Sequence, residues 1–283
     1  MTSAFDNRIV RVGLQIENDF QVFEGLNIRI SGAKFGSDIM NQCTVRIYNL
    51  TRAQRNFILT TATPMKIART PIQMTVDVGR ESSGTFRLFQ GEVYVSNVTP
   101  PPDIGITLTS LTNSFAMGLI ASNSQGPTAS LQAIAKSIAD QNKLTLNFKA
   151  KARMIANFQH TGAIAKQISK LALVGDVRAW VDNGVLTVID KDGYADDRAF
   201  SLSKETGMVG VPQATQSGVM AQMLVSPGIN IGQKVSIKSD INPAVNGDDY
   251  FLSALSFEIA NREPPFWYTL TLTNQAAYSN GVN

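Results

Sequence analysis

The chain has 283 residues, 43% of them hydrophobic and 17% charged, with 25 Lys and Arg against 22 Asp and Glu for a net charge of +3. That length allows two or three small domains with cores of their own, and the composition excludes a disordered chain. One cysteine (Cys43) and one histidine (His160) exclude an intrachain disulfide, a multi-cysteine zinc site and a His-rich metal centre, and so mild a charge is no argument for nucleic acid.

No run reaches the ~18 apolar residues of a membrane helix. The first residues, with Asp6 and Arg8, lack the basic-then-apolar order of a signal peptide. The expectation is a chain made in a cytoplasm that stays there or leaves inside something larger.

In the N-terminal third, Val10, Val12, Leu14 and Ile16 alternate with Arg11, Gly13 and Gln15 and predict a strand. Leu26, Ile28 and Ile30 predict a second, and Cys43, Val45 and Ile47 a third, in which Cys43 reads as a small buried hydrophobe. Thr51 is placed to cap a short helix carrying Ala53, Phe57 and Ile58 on one side. Ile72–Val78, Leu88–Val93 and Ile104–Leu108 supply three more strands, and Gly91 inside the middle one suggests a bulge or a close backbone approach. Six strands with one helix after the third read as an antiparallel barrel or sandwich.

The middle third opens with Asn113–Thr128, which reads as a linker or exposed loop. Leu131, Ile134, Ala135, Ile138 and Ala139 then recur with helical period. A second helix is predicted from Thr161-Gly162, with Thr161 as its cap, Ile164, Ile168 and Leu171 inward and Gly175 as its stop. Strands follow at Leu144–Phe148 and Val177–Val181, the latter turning through Asn183-Gly184 into Val185–Ile189. This is a small α+β unit.

Several residues here carry possible chemistry. Lys143, Lys149, Lys151 and Arg153, with Phe148 and Phe158 nearby, have the composition of a nucleic-acid surface, but a solvated strand and loop over core phenylalanines explains them better. His160 has no nucleophile-elbow pattern to serve and reads as structural. Asp190, Asp192, Asp196 and Asp197 lack the glycine and glutamate of a calcium loop and read as turn residues.

The last third contains a Gly/Pro-punctuated crossing from Glu205, a strand at Val219–Val225, a Pro227-Gly228 turn and a strand at Gln233–Lys238. Phe251, Leu255, Phe257 and Ile259 share the face of a further strand. After a turn at Asn261–Pro265, Tyr268, Leu270 and Leu272 alternate with Thr269, Thr271 and Thr273. Four or five strands leave this unit short, so it is expected to borrow one from the middle.

Val45–Thr51 (Val-Arg-Ile-Tyr-Asn-Leu-Thr) and Phe89–Val93 (Phe-Gln-Gly-Glu-Val) are followed by Thr206-Gly207-Met208-Val209-Gly210-Val211-Pro212, the Ser226–Gly232 turn and a closing aromatic strand pair. In order and separation these resemble the baseplate hub proteins of contractile-tailed bacteriophages. The resemblance covers nearly the whole chain and implies a mainly β fold: two tail-tube-like antiparallel β-barrel domains, 1–112 and 204–283, flanking a small α+β domain, 113–203. It implies a structural homotrimer joining the sixfold tail tube to the threefold central spike and lining the channel, in a virion baseplate assembled in the host cytoplasm. The implied partners are tube or tube-initiator, spike and baseplate wedge proteins, with DNA passing through the lumen without specific binding. No catalytic, cofactor or metal residues are expected, and Asn49–Arg52 and Gly207–Pro212 are the segments expected to carry load. No lysozyme-like segment or spike β-helix repeat is seen, and type VI secretion spikes are a close cousin.

Two other classes compete. A cell-wall- or polysaccharide-degrading tail enzyme needs paired carboxylates, for which Asp190 and Asp192 are candidates. A nucleic-acid module needs Lys143–Arg153 on one face.

Overall fold

Side chains alternate across a strand, so the apolar sets read above each define one dry face, and those faces have to meet. The computed structural model describes residues 6–16, 19–61, 72–101, 103–112, 121–124 and 126–275. The first unit comprises β1 (Arg8–Ile16), β2 (Asp19–Phe23), β3 (Ile28–Phe35), β4 (Gln42–Tyr48), α1 (Arg52–Thr61), β5 (Gln73–Arg80), β6 (Gly84–Thr99) and β7 (Gly105–Leu111). Next come β8 (Ala121–Ser124), β9 (Thr128–Ser130), α2 (Leu131–Gln141), β10 (Thr145–Phe148), β11 (Met154–Ala156), β12 (Gln159–Gly162), α3 (Ile164–Gly175), β13 (Val177–Asp182) and β14 (Val185–Asp190). The chain continues through β15 (Asp196–Leu202), β16 (Met208–Thr215), β17 (Gly218–Leu224), β18 (Gln233–Ile237), β19 (Gly247–Ala260) and β20 (Phe266–Asn274).

The fold is mainly β, and the two ends of the chain share one sheet. Its strands run β16-β17-β20-β19-β3-β4-β7-β6-β5-β1-β2, with β15 and β18 attached beside β19. Every neighbour on that path is antiparallel. Among the described residues the path does not close on itself; β2 and β16 are its ends. The joint is β19 against β3, in register from Ala254↔Phe35 to Ala260↔Arg29. β15, inside residues 113–203, pairs in parallel with β18, so a strand is lent to the last unit as expected.

Two long strands organise this sheet. β6 pairs with β5 through Glu92 and with β7 from Glu92 onward, and a register shift at Val93/Val95 bends it between the two. β19 pairs with β18 over Gly247–Phe251 and with β3 from Ala254, with a register shift at Leu252/Ala254. The expected close approach at Gly91 is present: a Cβ there would lie 2.8 Å from the Leu111 carbonyl oxygen.

The middle residues have a second core. Leu131, Ile134, Ile138, Ile168, Leu171 and Leu186 are buried together between the two helices and the β10-β14-β13 sheet. Trp180 and Ile189, from the same sheet, face the main core instead. Trp180 meets Phe251 edge-on at 6.4 Å between ring centres.

Several local expectations are corrected. Asp19–Phe23 is a strand that short length concealed. The presumed linker contributes β8 and β9, which pair with β12 and β11; residues 113–120 lie outside those described. The Gly207–Pro212 crossing is mostly edge strand β16, with a register shift between Val209 and Gln213 that accommodates Pro212. α1 packs through Ile58, while Ala53 and Phe57 are exposed. Thr161 does not cap α3: Ala163 holds that position, and the Thr161 hydroxyl meets Ser122 at 2.9 Å. Asp176, in the left-handed conformation, ends α3, and Gly175 is needed because a Cβ there would lie 2.6 Å from Leu131.

Gly32 sits where β3 is clasped by both β4 and β19. A Cβ at this position would lie 2.2 Å from the Gln42 carbonyl oxygen and 2.5 Å from the Phe257 ring. Gly32→Ala is expected to destabilise the fold by about 1–3 kcal/mol, whereas Gly126→Ala, with open space around it, leaves the urea midpoint unchanged. Equal midpoints for the two variants would contradict this reading of the joint.

Candidate assembly surface

From β17 to the far half of β6 the wet face of the sheet is continuous. Its rows run Gln222, Thr269, Ser256, Ala33, Gln42 and, alongside, Trp267, Glu258, Ser31, Thr44, Thr109. Short hydroxyl and amide side chains dominate because most apolar partners in the alternation point into the core; Met220 and Leu224 of β17 are exposed on this face. Lysine is absent from this face, and its cations are Arg29 and Arg46, opposite each other on β3 and β4. Thr44 and Thr109 face each other across the ladder with their hydroxyls 3.5 Å apart. Arg29 pairs with Glu263 at the margin, and Arg11–Glu24 and Arg87–Asp77 pair on the continuing face of β1, β5 and β6. The surface is wide, polar and close to neutral, without a convergent catalytic set.

The expected load-bearing segments lie apart. At Asn49–Arg52 the chain leaves β4 through Asn49 in the left-handed conformation (φ 64°). Thr51 and Gln54 then form a reciprocal cap: the Gln54 amide donates to the Thr51 hydroxyl at 3.2 Å, and the Thr51 amide to Gln54 Oε1 at 3.1 Å. On β16, at one end of the sheet, the Pro212 carbonyl accepts from Asn242 Nδ2 at 2.9 Å. With no N–H on Pro212 and its carbonyl occupied, the middle of the β16 edge is blunted against pairing.

The basic cluster does not form one surface. Arg153 donates to Asp190 Oδ1 at 2.6 Å and to the carbonyls of Gly175 and Asp176, at 2.9 Å for the latter, which places its charge at the C-terminal end of α3. Asp190 is buried and also accepts the Lys151 amide at 3.0 Å, which accounts for its carboxylate without a metal. Lys143 and Lys149 sit at opposite ends of β10, and Phe158 is core. His160 lies opposite Asn123 in the β8–β12 pair with its Nε2 buried. Asp196 accepts the Arg198 amide at 3.0 Å, the bond that chiefly lowers its carboxyl pKa. Asp192 is exposed, and nothing is described of the Asp197 side chain. Cys43 is fully buried, and burial pushes its thiol far above the usual range.

A cleft of about 540 Å³ separates α3 and β13 from β19 and β20. Its polar groups are engaged: Arg178 lies 3.9 Å over the Phe251 ring and donates to Gln275 at 3.1 Å, Lys191 pairs with Asp176, and Ser169 with Asp38.

One polar node was not anticipated. Lys34, 5% exposed, donates to Asp182 Oδ2 at 2.9 Å, and Asn41 Nδ2 donates to Asp182 Oδ1 at 2.9 Å and to the Val181 carbonyl at 3.2 Å. This ties the small α+β unit to the β3–β4 hairpin. The signal was present in the alternation: Lys34 follows Ile28, Ile30 and Gly32 on the inward side of its strand.

No helix among the described residues is long and apolar enough to cross a membrane. Residues 9–272 match the family model described as Baseplate hub gp41. Among solved structures, the tail protein from Neisseria meningitidis MC58 aligns with TM-score 0.65 and 9% identity over 95% of this chain and 98% of that one. The 43 kDa tail protein of prophage MuSo2 from Shewanella oneidensis gives 0.63 and 9% over 94% and 97%. The E. coli c3393 protein, a type VI secretion component described as similar to T4 tail proteins gp27 and gp5, gives 0.59 and 12% over 92% and 76%. At these identities the likeness is one of fold. No curated protein matches the sequence.

Removing one partner of a buried ion pair strands the other's charge, so Asp182→Ala is expected to cost about 3–5 kcal/mol. Lys34→Met combined with Asp182→Leu recovers most of that. Urea denaturation of the three chains checks it; a double variant as unstable as Asp182→Ala would show that the node matters for something other than charge pairing.

Proposed function

Since the chain belongs to the Baseplate hub gp41 family, we propose that it is the homotrimeric hub of a contractile phage tail, joining the sixfold tail tube to the threefold central spike. Membership indicates a structural rather than enzymatic role in the virion baseplate. Each half of the shared sheet acts as a tail-tube-like barrel, the first in residues 1–112 and the second in 204–283, with 113–203 as the α+β insertion. The separate core of α2 and α3 supports that division. Two tube-like units per chain turn three copies into six, which lets one ring face sixfold and threefold neighbours alike.

The family match over residues 9–272 carries this reading. The wet face supports the channel role: threonine, serine and glutamine dominate it, and its neighbouring arginines, Arg29 and Arg46, stand beside Glu258 and Glu263, so the reading is that DNA passes without specific binding. Tube or tube-initiator proteins above, the spike below and wedge proteins around are the partners, met in the host cytoplasm during assembly. The chain itself inserts no segment into a membrane. An enzymatic role for Asp190 is disfavoured because its carboxylate is buried against Arg153.

Light scattering over a concentration series tests the proposal. The expected mass is about 92 kDa, three copies of a 30.7 kDa chain, with a central hole on imaging. A stable hexamer would contradict two tube-like units per chain.

A further inference from the structure

The polar node at Lys34 has the three parts of a self-acylating site: a buried amine, a buried primary amide and a carboxylate touching both. Lys34 Nζ donates to Asp182 Oδ2 at 2.9 Å and Asn41 Nδ2 to Asp182 Oδ1 at 2.9 Å, so one carboxyl group spans the two nitrogens. Lys34 and Asn41 stand opposite each other in the β3–β4 hairpin, one step beyond the last ladder pair, Ala33↔Gln42. Both are buried, Asn41 completely. The Asn41 amide is fixed in orientation: its Oδ1 accepts the Phe35 amide at 2.9 Å, and its Nδ2 also donates to the Val181 carbonyl at 3.2 Å. The first of these bonds polarises the Asn41 carbonyl as an oxyanion donor does, and the second holds the nitrogen that has to leave.

We propose that this node forms an isopeptide bond between Lys34 Nζ and Asn41 Cγ, with Asp182 as the proton-transfer group. Lys34 passes one proton to Asp182, and the free amine attacks Cγ. Asp182 gives that proton to Nδ2 and takes another from Nζ; the Cγ–Nδ2 bond then breaks and ammonia leaves, carrying the remaining proton away as ammonium. In sum, the Lys34 ammonium and the Asn41 amide become a secondary amide and ammonium, with nothing oxidised or reduced and the Asp182 carboxylate restored. A lysine amine taken out of water is a competent nucleophile, and holding the reacting groups in contact removes much of the entropic barrier. The ion pair is thus the reactant state. Asp182 comes from β13, far along the chain, so the reaction waits until the α+β unit has docked. The bond closes the Gly36–Met40 tip, whose Asp38 meets Ser169 of α3, and makes permanent the hairpin on which that unit sits. It requires only the node, whatever the chain assembles with.

Mass spectrometry of the folded full-length chain tests this. The expected mass lies about 17 Da, one ammonia, below that of the sequence. Trypsin should fail to cut after Lys34 and should release Ile30–Arg46 as a single peptide lighter by the same amount. Lys34→Met and Asn41→Ala should each retain the full mass, and Asp182→Asn should slow the loss by about a hundredfold, with circular dichroism reporting the fold of each. If a variant does not fold, the wild-type mass and peptide decide by themselves. A folded wild-type chain that keeps the full mass after prolonged incubation would overturn the bond. So would a loss of the same size mapped to Asn183-Gly184 or Asn246-Gly247, where a succinimide also releases ammonia. A crosslink forming as fast in Asp182→Asn would overturn the role given to Asp182.

Discussion

The ladder between β3 and β19 is the interaction on which the rest depends. It joins residues more than two hundred positions apart and turns two groups of strands into one antiparallel sheet. Its geometry demands Gly32, because the chain at that point is pressed between the Gln42 carbonyl and the Phe257 ring. The long bulged strands β6 and β19 follow from the same constraint. Each serves different partners along its length, and a bulge is the cheapest way for a strand to bend between them. Without that joint, the wet face would be two separate patches.

The small α+β unit is fastened by different means. On its apolar side Trp180 enters the main core against Phe251, and on its polar side Asp182 closes the node with Lys34 and Asn41. A lysine on the dry side of a strand is costly unless paired, so this node fixes where the unit sits as much as how strongly it holds. Arg153 does similar work inside the unit, linking Asp190 of β14 to the end of α3. Of the charged groups that suggested ligand chemistry in the sequence, Arg153, Asp190 and Asp196 are held by local structure.

Much of the fold was legible because alternation is a local property. Val10–Ile16, Cys43–Ile47, Ile72–Val78 and Tyr268–Leu272 each announce a dry face without knowledge of its partner, and α2 buries the five residues its period picked out. Elements held by pairing rather than pattern were not legible. β8, β9 and β11 have three or four residues and exist only through the strands they pair with. β16 hid behind glycine and proline because an edge strand tolerates both. The proposed channel surface was legible only through resemblance: each threonine on it reads as ordinary solvent-facing alternation, and the surface exists only once β3 meets β19. Basic residues adjacent in sequence need not make one patch, since one short strand carries Lys143 and Lys149 to its two ends.

The central claim is that the hydroxyl-rich face lines a closed channel. A single-particle reconstruction of the assembled ring, bound to its tube and spike neighbours, tests it most directly. The account predicts Thr44, Thr109, Ser256 and Thr269 around the central hole, with the buried apolar face of the sheet turned outward into each subunit's core. A ring in which those four residues lie on the outer surface would contradict it.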